Sequence, residues 1–106
     1  MNARTANQIE EMKKQTIGVE IEMNCISRES AAKLAAEYFG TDRAENTAGR
    51  NGYCTWSAWD EHGREWKFQK DVSIAGPESE KCELVTPILT YSDIESLQEL
   101  VRRLRK

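Results

Sequence analysis

The chain has 106 residues, of which 39% are hydrophobic and 31% charged, and its formal net charge is −3. This length predicts one domain with a modest core, and the negative charge is unlike that of a general nucleic-acid-binding protein. No apolar run approaches the roughly 18 residues of a membrane span. Residues 1–15 are polar and lack a signal-peptide core, so we expect a leader with a short helix, a domain over 16–106, and a cytoplasmic protein.

The first predicted strand, Thr16 to Cys25, has two glutamates on one face. Because successive side chains of a strand point to opposite faces, Glu20 and Glu22 lie on the same side, with apolar residues on the other. The rise per residue separates them by about 6.6 Å. Buried carboxylates without partners are costly, so the pattern predicts a face open to water, to a metal ion or to a basic partner.

Later segments predict two helices and a hairpin. Ser27 is a suitable N-cap for a helix that Gly40 can end. Tyr53–Trp59 and Arg64–Lys70 are rich in aromatic and β-forming residues, and the tetrapeptide between them contains a glycine for a left-handed turn position. A capping box at Ser92–Glu95 predicts the start of a final amphipathic helix.

The remaining segments complete the predicted topology. Residues 41–51 and 73–81 are polar or contain Gly and Pro, which predicts loops. Cys82 to Thr86 predicts a fourth strand that ends at Pro87, because proline cannot donate to a sheet ladder. We therefore expect an α+β fold, with a mostly antiparallel sheet of about four strands and two main helices packed on one face.

The cysteines and the histidine do not form a metal-binding motif. Cys25, Cys54 and Cys82 are widely spaced without a Cys-x-x-Cys pair, and His62 is the only histidine. Such a set does not favour a zinc site. We expect three reduced thiols, as is usual for a cytoplasmic protein.

Four carboxylates lie on or just after predicted strands. If those strands belong to one sheet, the four converge on its open face. Mg²⁺ takes oxygen ligands from one or two carboxylates together with substrate phosphates. The alternative is a solvated sheet face with alternating charge, which is common in antiparallel sheets. The four residues are Glu20, Glu22, Asp71 and Glu83.

Aromatic and basic residues form two further groups. The aromatic side chains concentrate in the hairpin, which is typical of a core below helices, but Trp59 beside the turn is the one that we expect to be exposed as an anchor for a protein partner. Positive charge at the end of the last helix predicts a solvated terminus, or a weak contact with RNA or phosphate that would be the chain's only direct nucleic-acid binding. The basic residues are Arg102, Arg103, Arg105 and Lys106.

Four segments in consistent order resemble the amidoligase family, which is related to glutamine synthetase and glutamate–cysteine ligase. The resemblance implies an ATP-dependent carboxylate–amine ligase in which Glu20, Glu22 and Glu83 are Mg-ATP ligands. Asp71 would be a polar group of the same site. The segments are Gly18-Val19-Glu20-Ile21-Glu22, Trp59-Asp60-x-x-Gly63-Arg64-x-Trp66-Lys67, Asp71-x-Ser73-Ile74 and Glu83 to Leu89.

Members of that family continue into a half that contains a His-x-His strand. This chain ends at Lys106, so we expect a binding protein and no enzyme, with no metal and no cofactor. An ATP-binding ligase site needs clamps on the phosphates and a water-excluding cavity, which half of a fold can hardly provide. The alternative is an ATP-dependent amidoligase, or an N-terminal fragment of one, with Mg-ATP as its cofactor.

The whole chain also resembles small type II-A anti-CRISPR proteins that contain truncated amidoligase-like domains. This resemblance implies an inhibitor encoded by a phage or mobile element, which binds the type II CRISPR effector nuclease or its guide-bound complex in the bacterial host cell. It would block engagement of guide RNA or DNA, because a carboxylate-rich face suits the positive channels of such a nuclease. The expected partner-binding residues are Glu20, Glu22, Asp71, Glu83 and Trp59.

Overall fold

The computed structural model describes residues 16–23, 27–48, 55–70 and 82–105. Within these ranges, seven strands, two α-helices and one 3-10 turn follow each other along the chain. The strands are β1 Thr16–Ile17, β2 Glu20–Met23, β3 Ala44–Asn46, β4 Trp56–Trp59, β5 Glu65–Gln69, β6 Cys82–Val85 and β7 Leu89–Thr90. The helices are α1 Arg28–Phe39 and α2 Ile94–Leu104, and the 3-10 turn Tyr91–Asp93 precedes α2.

The strands form two antiparallel sheets. One has five strands in the order β2-β6-β5-β4-β3, and the other pairs β1 with β7. The predicted α+β fold with a mostly antiparallel sheet is therefore confirmed. Three details differ from the prediction. Strand β3 lies in a segment predicted as a loop, the strand predicted from Thr16 is interrupted at Gly18 and Val19, and β7 with its small sheet was not predicted.

The interruption of the first strand is held by Thr86. The Val19 backbone N–H donates to Thr86 Oγ1 at 2.9 Å, and the Thr86 N–H donates to the Val19 carbonyl at 2.9 Å. A threonine hydroxyl thus replaces one backbone partner where the chain passes from the small sheet to the large one. On either side of the break the chain stays paired, β1 with β7 and β2 with β6.

Helix α1 begins and ends at the predicted residues. Ser27 Oγ accepts a hydrogen bond from the Ser30 N–H at 3.1 Å, as expected of an N-cap. Gly40 ends the helix at φ 79°, a left-handed conformation that glycine adopts without steric cost. Four small side chains of α1 are buried and allow a close approach to its neighbours. They are Ala31, Ala32, Ala35 and Ala36.

Helix α2 begins differently from the prediction. Asp93 accepts hydrogen bonds from the Thr90 N–H at 2.8 Å and from Thr90 Oγ1 at 3.0 Å, both on Oδ2. The capping box therefore forms at Thr90–Asp93, two residues earlier than expected, and the predicted capping box at Ser92–Glu95 is wrong. The apolar stripe is confirmed, since Leu97, Leu100 and Leu104 are buried.

One cluster of buried side chains includes residues of both helices and of the large sheet. Trp66, Phe68 and Leu84 belong to it, whereas Lys67 between the first two is exposed. The packing of both helices on one face stays a prediction, and the predicted N-terminal helix lies outside the described residues. Among those described, no helix has both the length and the apolarity needed to cross a bilayer.

Candidate functional site

The sheet register places three of the predicted carboxylates on one face. Glu22 in β2 is the direct partner of Glu83 in β6, and Glu20 is two residues from Glu22 on the same side. Directly opposed residues of antiparallel strands have Cβ atoms about 4.5–5.5 Å apart. The prediction that these carboxylates lie on one sheet face is thus confirmed for Glu20, Glu22 and Glu83. We call these three residues the carboxylate group.

The carboxylate group is open to solvent. Glu20 and Glu22 are exposed and Glu83 is half-buried. Within the described ranges, Glu20 and Glu22 form no ion pair and no side-chain hydrogen bond, whereas Glu83 has a partner. Two like charges directly opposite each other on a sheet repel, and Glu22 is the direct partner of Glu83.

Lys67 lies on the same sheet face as the carboxylate group. Its direct partner in β6 is Val85, and Val85 is in turn the direct partner of Glu20 in β2. Glu83 pairs with Gln69, two residues along β5 from Lys67. The face therefore contains carboxylates at one edge and an exposed ammonium group in its middle.

The residues in the described ranges do not form a metal site by themselves. No three residues of the types His, Cys, Asp and Glu lie close enough there to hold a metal ion. The donor chemistry still fits Mg²⁺ with a nucleotide, because Mg²⁺ commonly takes one or two protein carboxylates and obtains its other oxygens from phosphates and water. Asp71, the fourth predicted residue, lies outside the described ranges.

Trp59 lies on the same face as the carboxylate group but far from it. It is in β4, three strands from β2, which corresponds to about 14 Å across the sheet. The guanidinium of Arg43 stacks over its ring at 4.2 Å from the centroid, and the Trp59 N–H donates to the Arg43 carbonyl at 3.1 Å. Trp59 is half-buried, so one face of the ring that we expected to be exposed is covered by Arg43.

The basic end of α2 is partly neutralised. Glu99 accepts hydrogen bonds from Arg102 Nη1 at 2.6 Å and from Arg103 Nε at 3.2 Å. The bonds from Arg103 and then Arg102 lower the pKa of Glu99. Arg103 also stacks over the Tyr38 ring at 4.8 Å. Arg105 is exposed, and Lys106 lies outside the described residues.

The structure contains a second polar group, which the sequence did not reveal. We call Asp60, Arg64, Trp66 and Asp93 the turn network. Asp60 Oδ2 accepts from Arg64 Nε at 2.8 Å and from Trp66 Nε1 at 2.9 Å. Asp60 Oδ1 accepts from the His62 N–H at 2.9 Å and the Arg64 N–H at 3.0 Å. All lone-pair directions of this carboxylate are thereby used.

Arg64 joins the hairpin turn to the start of α2. Its Nη1 and Nη2 donate to the two carboxylate oxygens of Asp93 at 3.0 and 3.1 Å, a bidentate geometry. These bonds from Arg64, and then the bond from the Thr90 N–H, hold the pKa of Asp93 well below its ordinary value. Bonding to Asp93 raises the pKa of Arg64.

Asp60 stays ionised although its side chain is only 2% exposed. Burial by itself raises the pKa of such a group, but the hydrogen bonds from Trp66, from the backbone and from the Arg64 side chain outweigh it, and the pKa of Asp60 is lowered. Gly63 at φ 76° provides the left-handed turn position that the sequence predicted. A tryptophan indole buried beside an aspartate turn is the signal that indicates this network, because a buried N–H needs an acceptor.

A cavity beside the turn network does not include the carboxylate group. A cavity of about 230 Å³ lies between the hairpin turn and the start of α2, with Glu61, His62 and Ser96 among its lining residues. Its two most buried charged side chains, those of Asp60 and Asp93, are already bonded within the turn network. The cavity therefore lies beside the turn network, whose bonds stabilise the fold.

Of the three cysteines and the histidine, Cys82 and His62 lie in the described ranges. Cys82 is a free, fully buried thiol, and burial raises its pKa to about 11. The His62 side chain is 65% exposed and approaches Glu61 at 3.5 Å. Cys25 and Cys54 lie outside the described residues, so the prediction of three reduced thiols is confirmed only for Cys82.

Comparison with known proteins supports the resemblance in the sequence. The sequence model of the family described as "Putative amidoligase enzyme" matches residues 13–106. No match was found among curated proteins or among solved structures. The matched range includes both the carboxylate group and the turn network, and it covers most of the chain. The chain therefore belongs to the amidoligase family.

Proposed function

We propose that the chain provides the Mg-nucleotide-binding part of an ATP-dependent carboxylate–amine ligase. The observation that supports this most directly is the register of β2 with β6, which brings Glu20, Glu22 and Glu83 to one solvent-open face. Family membership over residues 13–106 supports the same reaction class. This is the alternative to the inhibitor function that the sequence favoured.

The carboxylate group suits a divalent cation that also binds phosphates. Glu22 and Glu83 lie opposite each other, so both side chains can reach one ion, and Glu20 is on the same side at about 6.6 Å along the strand. A bound Mg²⁺ would neutralise the charge of a phosphoryl group during its transfer. The role of the protein residues is to hold the ion and orient the phosphates, with Asp71 as an additional candidate.

Isothermal titration calorimetry with Mg-ATP tests this proposal. We expect saturable binding by the full chain, loss of that binding in Glu22→Gln, and no binding of ATP when EDTA removes the cation. Glu45→Gln is a matched control, because Glu45 is an exposed glutamate of β3 that faces the same side at the opposite edge of the sheet. Absence of binding by the unaltered chain, or equal binding by Glu22→Gln, contradicts the proposal.

A second candidate function is inhibition of a type II CRISPR effector nuclease. The observation that favours it is that Glu20 and Glu22 are exposed and lack ion pairs within the described ranges, while no preformed three-residue metal site occurs there. Such a face suits the positively charged channel that holds guide and target. In this function the chain is not an enzyme and Trp59 is an anchor residue. Either function would be performed in the cytoplasm.

A nuclease assay separates the second candidate from the first. The inhibitor function predicts that the chain slows cleavage of target DNA by the nuclease without added ATP, and that Glu20→Lys with Glu22→Lys removes this inhibition. Cleavage at an unchanged rate, or inhibition that survives the double charge reversal, contradicts it. Mg-ATP binding that is lost in Glu22→Gln supports the ligase reading instead.

A further inference from the structure

The small sheet of β1 and β7 is where the described structure exposes its large apolar side chains. Ile17 is 52% exposed, Ile88 65% and Tyr91 48%, and each lies in this sheet or next to it. Residues 16–19 and 86–92 contain no charged side chain, although 31% of the whole chain is charged. Exposed apolar surface without charges is typical of a site of protein contact.

The outer edge of β1 has unpaired backbone groups. Thr16 is the direct partner of Thr90, whose N–H donates to Asp93 Oδ2 and therefore points away from β1. Because opposed residues of antiparallel strands either exchange both backbone bonds or exchange none, the N–H and C=O of Thr16 point to the free side of β1. Gly18 has no backbone hydrogen bond to a described residue, and a Cβ there would meet no atom within 4 Å. Such an edge is a template for a further strand.

The other strand edges of the described structure are closed or charged. At the outer edge of β7, the Thr90 N–H is already bonded to Asp93. The edge strands of the large sheet are β2 and β3, and they contain the exposed residues Glu20, Glu22 and Glu45. Pairing two copies of the chain along β2 or β3 would bring like charges together, which opposes association. Among these edges, β1 is therefore the one that suits a second copy of itself.

We propose that two copies of the chain associate by antiparallel pairing of their β1 edges about a two-fold axis. An axis through Ile17 places Thr16 of each copy opposite Gly18 of the other, so that these residues exchange backbone hydrogen bonds. The two Ile17 side chains then lie directly opposite each other, with Cβ atoms about 4.5–5.5 Å apart. The contact is isologous and closes at two copies.

This pairing joins the two small sheets into one sheet with the strand order β7-β1-β1-β7. A sheet of more than two strands is more stable than an isolated pair, which favours the association. The contact contains only short strands and a few apolar side chains, so we expect a weak dimer whose fraction rises with protein concentration. The association does not depend on the proposed binding of Mg-nucleotide.

Sedimentation equilibrium at a series of protein concentrations tests the association. We expect the apparent mass of the unaltered chain to rise with concentration toward twice the monomer mass. Ile17→Lys should remain a monomer at each concentration, because a lysine on a strand edge opposes pairing. Glu45→Gln is the control, since it changes the net charge by the same amount at the far edge of the large sheet and should leave the association unchanged.

Amide hydrogen exchange locates the contact in the unaltered chain and needs no variant. The N–H groups of Thr16 and Gly18 become hydrogen-bonded in the dimer, so their exchange should slow as the protein concentration rises. Exchange at Glu45 and Asn46 in β3 should not depend on concentration, because β3 lies outside the contact.

Several results would overturn the proposal. One is a mass that stays that of a monomer up to the solubility limit, even if Thr16 and Gly18 exchange slowly, since another part of the same chain then covers β1. Another is a dimer that Ile17→Lys leaves intact, or in which exchange slows at β3 and not at Thr16 and Gly18. Species larger than a dimer would contradict a closed two-fold contact. None of these results bears on the proposed function.

Discussion

The turn network and the carboxylate group differ in how completely their polar atoms are bonded. Every carboxylate oxygen of Asp60 and Asp93 accepts a hydrogen bond, and no buried side-chain polar atom of the described residues lacks a partner. Glu20 and Glu22, by contrast, are exposed and have no ion pair within the described ranges. Both groups lie within residues 13–106, which the family model matches, so the matched range contains two kinds of polar residue.

This difference in bonding indicates a separate role for each group. Saturated, nearly buried charges stabilise the fold, because removing one partner leaves the other uncompensated. Exposed like charges without partners contribute little to stability and are available to a ligand. Substitutions in the turn network should therefore change unfolding, and substitutions in the carboxylate group should change binding.

The largest effect is expected at Asp60. Asp60→Ala leaves Arg64 Nε, the Trp66 indole N–H and two backbone N–H groups of the turn without their acceptor, and we expect the free energy of unfolding to fall by about 3–5 kcal/mol because several part-buried donors are unsatisfied. Urea denaturation followed by tryptophan fluorescence measures it. Glu61→Ala in the same turn is the control, since Glu61 is exposed and its loss should change stability by less than about 0.5 kcal/mol. Equal effects of the two substitutions would contradict the structural role of the turn network.

Acid should destabilise the fold through Asp60 and Asp93. Both have a pKa lowered in the folded state, so their contribution is fully present above the unfolded value near about 4 and is lost as the pH falls below it. The contribution of Asp93 should be on the order of 2 kcal/mol. Urea midpoints measured from pH 7 to pH 2 test this.

The control for the acid effect is Asp93→Asn. The difference in unfolding free energy between this variant and the unaltered chain should be largest above pH 5 and should shrink as the pH falls. A difference that is the same at pH 7 and pH 2 would show that the charge of Asp93 is not the source of its stabilisation.

A smaller effect is expected where Arg43 covers Trp59. Arg43→Ala removes a cation–π contact at 4.2 Å, and we expect the free energy of unfolding to fall by about 0.5–1 kcal/mol. Tryptophan emission should shift to longer wavelength as the ring is exposed. Lys33→Ala, whose ammonium group lies 5.7 Å from the Trp56 centroid, should have less effect. Equal emission spectra for Arg43→Ala and the unaltered chain would contradict the contact.

The smallest change in stability is expected at Glu22. Glu22→Gln removes a charge that lies directly opposite Glu83, so we expect the free energy of unfolding to stay constant or to rise by about 0.2–0.5 kcal/mol. Thermal denaturation measures this, with Glu45→Gln as the control. A large loss of stability in Glu22→Gln would place the carboxylate group among the structural residues and remove the contrast with the turn network.

Much of the carboxylate group was predictable from sequence because strand alternation is local. Once β2 and β6 are strands, Glu20 and Glu22 must share a face, and Glu83 joins them if the strands pair. The family resemblance grouped the three residues as Mg-ATP ligands, but the pairing of β2 with β6 came only from the structure. The hairpin faces were predictable for the same reason, since Trp66 and Phe68 alternate with Lys67.

The turn network was not predictable from local patterns. Arg64 and Asp93 are 29 residues apart, and no periodicity relates a hairpin turn to a helix start. Strand β3 was missed because its residues, Ala44–Asn46, are polar or small, and its pairing with β4 depends on tertiary contacts. The start of α2 was misplaced because Asp93 bonds back to Thr90 and not forward from Ser92.

Paramagnetic broadening by Mn²⁺ with ATP, observed in the amide spectrum of the labelled chain, tests whether the carboxylate group binds the metal and its nucleotide. Mn²⁺ replaces Mg²⁺ at oxygen sites and broadens signals near it. We predict broadening centred on Glu20, Glu22 and Glu83, with Asp60 and Asp93 unaffected. Broadening centred on the turn network would contradict the assignment of the carboxylate group as the ligand-binding part of this fold. The absence of broadening when Mn²⁺ and ATP are both in large excess over the chain would contradict it as well.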